Sequence, residues 1–387
     1  MDRKLRMGMI GGGKGSFIGG VHRMAAIMDG KIELACGAFN SNAQRSKETG
    51  RELFLPDDRV YSDFREMIRN EKNLPPGEKM DFVCIATPNN MHYEPARLAL
   101  ENGFHVICDK PVTYNLDEAK ELKKMVDDSG LIFCLTHNYT GYPMVKQAKE
   151  MCRHGKLGKV RKIVVEYPQG WLTGRPELSG QKQASWRTDS SISGLSCSMG
   201  DIGTHAENLT EYITGLKIHE LCADLSTIEE GRATDDDGSV LIRFNNGAKG
   251  ILYVSQISVG EENGLKIRIY GEKAALEWVQ TEPNTLKVKY QDKPMEIYRT
   301  GIDNGYLEPL ALKNTRIPSG HPEGFIEAFA NIYSNFADAL SAFIQTQSAP
   351  DYVEFPTIDD GLRGMAFIES VVNSGKSDKK WYPFLDY

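Results

Sequence analysis

The sequence predicts a two-domain chain of the α/β class: a doubly wound parallel sheet first, then an α/β domain built on a large, mostly antiparallel open sheet. Three observations predict it. At 387 residues the chain is about twice the usual size of one domain. Over roughly the first third, short apolar runs alternate with amphipathic stretches, as strands and helices do in a parallel sheet. Farther on, strand-like runs follow one another with few helices between them.

The elements follow in order. Met7 to Ile10, Ile32 to Phe39, Phe82 to Ala86, His105 to Cys108 and Leu131 to Thr136 read as buried strands, with helical patterns between them such as Asp117 to Val126. Asn73 to Lys79 carries two prolines and a glycine and predicts a surface loop. In the second part Val160 to Tyr167, Ile218 to Leu225, Ser239 to Phe244, Ile251 to Ile257, Leu265 to Tyr270 and Thr285 to Tyr290 read as strands. Asn245-Asn246-Gly247 joins two of them as a hairpin turn, which predicts antiparallel neighbours. Two helices are expected near the end, at Pro322 to Gln345 and Thr357 to Val372. The expected division is 1–140 and 141–387.

Composition narrows the function classes. Lysine plus arginine is 46 and aspartate plus glutamate is 53, a net charge of −7, which argues against general binding to nucleic acid or an anionic membrane surface. No apolar run approaches the ~18 residues of a membrane span. The first residues, MDRKLRMGMIGGGKG, have too short an apolar stretch for an export signal. The seven cysteines contain no CxxC pair, and four lie in apolar strand-like runs. Reduced, buried thiols of a cytoplasmic protein are expected, with no disulfide and no metal.

The run Gly11-Gly12-Gly13-Lys14-Gly15-Ser16-Phe17-Ile18-Gly19 follows the first strand and opens a helix. A dinucleotide's pyrophosphate needs a turn free of side chains, where the backbone approaches closely, and a helix N-terminus facing it. Gly11, Gly13, Lys14, Ser16, Phe17 and Ile18 are therefore candidate cofactor contacts in a Rossmann-type domain. In GxGxxG spacing the third glycine falls on Ser16, and Gly19 is its equivalent after a three-residue insertion. Beyond the second strand no carboxylate is present to hold ribose hydroxyls. Asn40, Ser41 and Arg45 stand there instead, which permits NADP without excluding NAD, while Asn40 and Ser41 also suit a helix cap.

Thr87-Pro88-Asn89-Asn90-Met91-His92 closes the third strand and Cys108-Asp109-Lys110-Pro111 the fourth, at the carboxyl ends where open α/β sheets bind ligands. Thr87, Pro88, Asn89, His92, Asp109 and Lys110 join the cofactor candidates. In Gly200-Asp201-Ile202-Gly203-Thr204-His205 the aspartate and histidine are four apart, one helical turn, so a carboxylate can orient an imidazole. The alternative is an aspartate N-cap and a core histidine.

GGGKGSFIGGVH, ATPNNMHYEPA, CDKPV and GDIGTH occur in this order over essentially the whole chain, and the sequence resembles the glucose-fructose oxidoreductase / inositol dehydrogenase / rhizopine-catabolism (Gfo/Idh/MocA) family. The resemblance implies an NAD(P)-binding Rossmann domain over 1–140 and a substrate-binding and oligomerisation domain over 141–387, in a homodimer or homotetramer. It matches Lys110 to the family's EKP lysine and Asp201 and His205 to its D-x-x-x-H pair. Asp109 replaces the usual glutamate, and the glycine turn is longer. By this reading His205 is the general acid/base, Asp201 orients it, and Lys110 donates to the reacting oxygen.

Sugar rings pair flat apolar faces with hydroxyl rims, so aromatic side chains beside amides and a guanidinium suit them. Asn138, Tyr139, Gln169, Trp171, Trp186, Arg187 and His321 are the candidate substrate contacts. The expected activity is NAD(P)-dependent hydride transfer to or from a secondary hydroxyl or ketone of a sugar, glycoside or cyclitol. Two alternatives stay open: a glycoside-processing enzyme that holds its nucleotide and oxidises transiently, and a non-catalytic nucleotide sensor.

Overall fold

The computed structural model describes residues 3–348, 350, 352–385 and 387. The chain begins β1 (Leu5–Gly11), α1 (Phe17–Met28), β2 (Ile32–Ala38), α2 (Ala43–Glu52), α3 (Phe64–Lys72), β3 (Phe82–Ala86), α4 (Tyr93–Glu101), β4 (His105–Cys108), α5 (Leu116–Ser129) and β5 (Phe133–Leu135). It continues with α6 (Pro143–Arg153), β6 (Val160–Pro168), α7 (Lys182–Arg187), α8 (Ser190–Ser193), α9 (Thr204–Thr214), β7 (Ile218–Ser226), β8 (Asp237–Phe244) and β9 (Lys249–Ser255). Then come β10 (Lys266–Gly271), β11 (Ala275–Val279), β12 (Thr285–Lys289), β13 (Glu296–Arg299), α10 (Pro309–Lys313), α11 (Phe325–Thr346), α12 (Ile358–Gly375) and β14 (Tyr382–Pro383). No described helix is long and apolar enough to cross a membrane.

Two compact units result. The first holds the residues up to Asn138 together with Phe325–Leu362, and the second holds Tyr139–Gly324 and the residues from Arg363 onward. A single boundary at 140/141 does not describe these units. The reason is hydrophobic: Phe329, Tyr333, Phe336 and Leu340 of α11 are buried in one cluster with Met7, Met9, Phe82 and Cys84 of β1 and β3. Such a cluster outweighs chain order, because burying each large apolar side chain is worth about 1.5–3 kcal/mol.

In the first unit the sheet order is β2-β1-β3-β4-β5, with every pair parallel. The chain runs outward from β1 to β2 and then back past β1 to β3, so the order reverses between β1 and β3. In open parallel sheets the ligand crevice lies at such a switch point, beyond the strands' carboxyl ends. Cys36, Cys84, Cys108 and Cys134 sit one each on β2 to β5, all buried.

The second unit is built on nine strands in the order β13-β12-β11-β10-β6-β9-β8-β7-β14. Every neighbouring pair is antiparallel except β6 with β9. The Asn245–Gly247 turn joins β8 to β9 as the sequence predicts, with the Gly247 N–H donating to the Phe244 carbonyl (2.9 Å). The sequence alone does not predict β11, β13 or β14. Burial along β13 is only partial, and β14 has two residues, so hydrophobic periodicity carries little signal there. Three helices also separate β6 from β7.

Candidate active site

At the switch point of the first unit, the Gly12 N–H donates to the Ala86 carbonyl at the end of β3 (3.1 Å). A Cβ on Gly12 (φ +67°) would lie 2.3 Å from Met9 Cε, and one on Gly13 2.6 Å from the Phe39 oxygen. A Cβ on Gly19 would lie 2.3 Å from Gly12 Cα. Gly19 is therefore the glycine that lets α1 pack closely on the turn. At Gly15 (φ +80°) a Cβ meets nothing within 4 Å, so this side of the turn is open. Ser16 caps α1, its Oγ accepting from the Gly19 N–H (3.2 Å).

An open, side-chain-free turn leading into a helix N-terminus fits a dinucleotide's phosphates. Of the other predicted contacts here, Phe17 is exposed, Ile18 packs against the core, and Lys14 pairs with Glu52 (2.5 Å). Gly19→Val is expected to cost about 1–3 kcal/mol by overpacking and to weaken nucleotide binding, measured by thermal melting and nucleotide titration. Unchanged binding in that variant would reject this role for the turn.

Beyond β2, Asn42 rather than Asn40 or Ser41 caps the next helix, accepting from the Arg45 N–H (3.0 Å). The Asn40 side chain accepts from the Asn42 N–H (2.9 Å). Among the described residues the Arg45 guanidinium has no hydrogen bond or ion pair.

After β3 the Thr87 hydroxyl donates to the Met91 carbonyl (2.9 Å), and Pro88 leads into a short turn holding the buried Asn89. His92 is buried, with Nδ1 2.7 Å from the Pro111 oxygen and Nε2 2.9 Å from the Thr87 oxygen. It stitches the loop after β3 to the loop after β4, a bracing role the sequence does not reveal. Asp109 accepts from the Lys110 N–H and the Thr136 hydroxyl, both at 2.9 Å. The Lys110–Pro111 peptide is cis. Burial, reinforced by the Lys110 charge, pushes the His137 pKa down to about 3, so that ring is neutral. Asn138 is buried, and its Nδ2 has no hydrogen-bond partner among the described residues.

The second unit gathers most of the remaining candidates. Because β6 and β9 are parallel, residues just past both strands share one end of the sheet: the Gln169 N–H donates to the Ser255 carbonyl (2.7 Å). Asn263 enters the same end just before β10, which pairs with β6 on its other side. Gln169 Nε2 donates to Asn263 Oδ1 (2.6 Å), and its Oε1 accepts from Trp171 Nε1 (2.9 Å) and Gln256 Nε2 (3.3 Å). The Tyr167 hydroxyl also donates to Asn263 Oδ1 (2.7 Å) and bonds the Tyr139 hydroxyl. Burial raises the pKa of both phenols, so both stay protonated.

Asp201 does not cap a helix. Asp235 does that work, accepting from the Cys197 N–H (3.1 Å) and the Met199 N–H (2.9 Å). Asp201 stands on a π turn, Met199–Gly203, that runs into α9, a local widening common at functional sites. Its Oδ2 accepts from Arg187 Nε and Gln256 Nε2, both at 2.9 Å. The Arg187 guanidinium lies 4.1 Å over Trp186 and 5.7 Å from Trp171. His205, in the first turn of α9, is buried, with its ring edge-on to Tyr139 at 4.8 Å and tilted against Tyr167 at 6.5 Å.

Tyr139, Gln169, Trp171, Trp186, Arg187, Asp201 and His205 are thus brought together. Sequence reasoning missed Gln256 and Asn263, whose one signal is a position just past or just before a strand end. His321 lines another cavity, whose walls include none of these residues.

Comparison with known proteins agrees with this architecture. Residues 5–137 match the oxidoreductase family with an NAD-binding Rossmann fold, and residues 145–277 match the GFO/IDH/MocA C-terminal domain. The chain is 34% identical to the uncharacterized oxidoreductase YfiI of Bacillus subtilis, over 99% of this chain and 98% of that protein. It is 25% identical to the levoglucosan dehydrogenase of Pseudarthrobacter phenanthrenivorans, over 92% and 99% of the two chains. An inositol dehydrogenase homolog from Azotobacter vinelandii, solved with NAD+, superposes with a TM-score of 0.93 at 33% identity, covering 100% of this chain and 98% of that one. With matched domains in this order and full-length relatives on both measures, the chain belongs to the Gfo/Idh/MocA family of oxidoreductases with an NAD-binding Rossmann domain.

Proposed function

We propose that the protein transfers a hydride between a nicotinamide dinucleotide and a secondary hydroxyl or ketone of a sugar, glycoside or cyclitol. The observation that carries this reading is the Asp201 carboxylate, held by Arg187 and Gln256 inside one network with Gln169, Trp171, Asn263, Tyr139 and Tyr167. Amides, phenols and a guanidinium beside two indoles match the alternating polar rim and apolar face of a polyol. Relatives point the same way: the Azotobacter homolog has also been solved with NADH and myo-inositol.

In the oxidative direction neutral His205 takes the hydroxyl proton, Asp201 orients the ring and stabilises its cation, and Lys110 donates to the oxygen as negative charge develops. In reduction the proton path reverses. The nicotinamide, when bound, accepts or returns the hydride. The first unit serves the nucleotide, through the glycine turn, the Asn40–Arg45 segment and the Thr87–Asn89 loop, and the second unit, with Tyr139, supplies the contacts to the substrate ring. Following nicotinamide absorbance while the protein is incubated with NAD or NADP and a panel of polyols, cyclitols and glycosides tests this. No change with any of them would reject the reading, and glycoside cleavage without net reduction would favour the transient-oxidation alternative.

The protein works in the cytoplasm as a homodimer or homotetramer. In register across the sheet, Leu241 lies beside Ile251 and Ile251 beside Val164, a row left half-buried or exposed. An apolar row on an open sheet face invites self-association. Light scattering after size exclusion is expected to give a dimer or tetramer, and Leu241→Lys combined with Ile251→Glu to give monomer. A monomeric wild type at micromolar concentration would refute this.

A further inference from the structure

The cavity lined by His321 has a volume of about 810 Å³, within the range of small-molecule sites. It opens between the β11–β12 turn, the end of β13 and the segment before α11, with Glu282, Asn284, Arg299, Tyr306 and His321 in its walls. It shares a sheet end with the Asp201 network. The Gln280 N–H donates to the Leu265 carbonyl (2.9 Å), and the Leu265 N–H to the Asn263 carbonyl (3.1 Å). β10, β11 and β12 are successive neighbours, so at ~4.8 Å per strand the start of β12 lies roughly 10 Å along the sheet from β10.

One part of the wall is pre-set. Asn284 Nδ2 donates to the Glu323 carbonyl (2.8 Å), while its Oδ1 accepts from the Thr300 hydroxyl (2.6 Å) and the Glu323 N–H (3.2 Å). Two charged side chains stay uncommitted: among the described residues neither Glu282 nor Arg299 makes a side-chain hydrogen bond or ion pair. Both line the same cavity. An anion is repelled by the Glu282 carboxylate and a cation by the Arg299 guanidinium, whereas a neutral hydroxyl both accepts and donates and can bond either one. His321 Nδ1 lies 3.3 Å from the Pro318 oxygen, which leaves Nε2 as a further acceptor when the ring is neutral. Tyr306, Pro283 and Pro322 supply apolar surface.

We propose that this cavity is a second saccharide subsite, and that the preferred substrate is a glycoside or oligosaccharide with a neutral sugar unit beyond the ring that reacts. The inference rests on the sugar-oxidoreductase reading. Calorimetric titration of the whole protein with glucose, maltose, cellobiose, lactose, sucrose and trehalose tests it without requiring turnover.

At least one disaccharide is expected to bind about tenfold or more tightly than glucose, as charge-assisted hydrogen bonds allow. Arg299→Ala and Glu282→Gln are each expected to remove most of that preference while changing glucose binding less than about twofold. Both residues are exposed, and melting temperatures check that the variants fold. Disaccharides binding no tighter than glucose, or a preference that survives in both variants, would overturn the proposal. If the preference follows this pattern but no sugar reduces nicotinamide, the subsite stands and the oxidation reading falls.

Discussion

His205→Ala is expected to lower turnover by about 10²–10⁴-fold, the usual contribution of a positioned proton-transfer group, while nucleotide affinity stays close to that of the wild type. The split follows from placement. His205 belongs to the second unit, in the first turn of α9 against Tyr139, whereas the glycine turn belongs to the first. Loss of the ring removes the proposed base and leaves the residues of the first unit unaltered. Asp201→Asn is expected to fall less in turnover than His205→Ala, because the amide oxygen still accepts from Arg187 and Gln256 although its charge is gone. Steady-state rates with the best substrate of the panel, set beside nucleotide titration, measure both. Full turnover in His205→Ala would end the acid/base assignment, and a loss confined to nucleotide binding would move His205 out of the chemistry.

Phe336→Ala is expected to destabilise the first unit by about 3–5 kcal/mol, as large-to-small changes of a fully buried aromatic do. Its ring packs edge-on to Phe82 of β3 at 5.0 Å and to Phe355 at 5.8 Å, and none of it reaches solvent. The same core receives His22 of α1, whose Nδ1 lies 2.7 Å from the Tyr333 hydroxyl. Burial drives the His22 pKa down to about 4, so the ring sits there neutral. Urea unfolding, with nucleotide binding as a second probe, reads the effect. A cost below about 1 kcal/mol would mean that α11 is not part of that core.

These two positions also mark how far the sequence is legible. β1 to β4 follow from apolar runs bounded by turn residues, and β5 is shorter than the run that predicts it. The glycine turn is readable because close packing forbids a Cβ at Gly12 and Gly19. The helical period of α11 shows an apolar face without saying which sheet the face covers, so its place beside β1 and β3 is not readable. Asp201 illustrates the same limit. Local spacing leaves a cap and a functional carboxylate equally open, and what relieves Asp201 of capping is Asp235, 34 residues away and brought in only by the tertiary fold. Gln256 and Asn263 escape notice because their meeting depends on strand order, which periodicity does not encode.

The thiols of the first sheet give its folding a built-in reporter. One sits on each of four of the five strands, with β1 between β2 and β3 carrying none, and burial holds the Cys84 pKa up to about 12 and those of Cys36, Cys108 and Cys134 well above the ordinary value. An alkylating pulse therefore marks a strand only after that strand has opened. Mass spectrometry of the four tagged peptides can then tell whether the sheet peels from its β2 edge, from its β5 edge or all at once, with no engineered label.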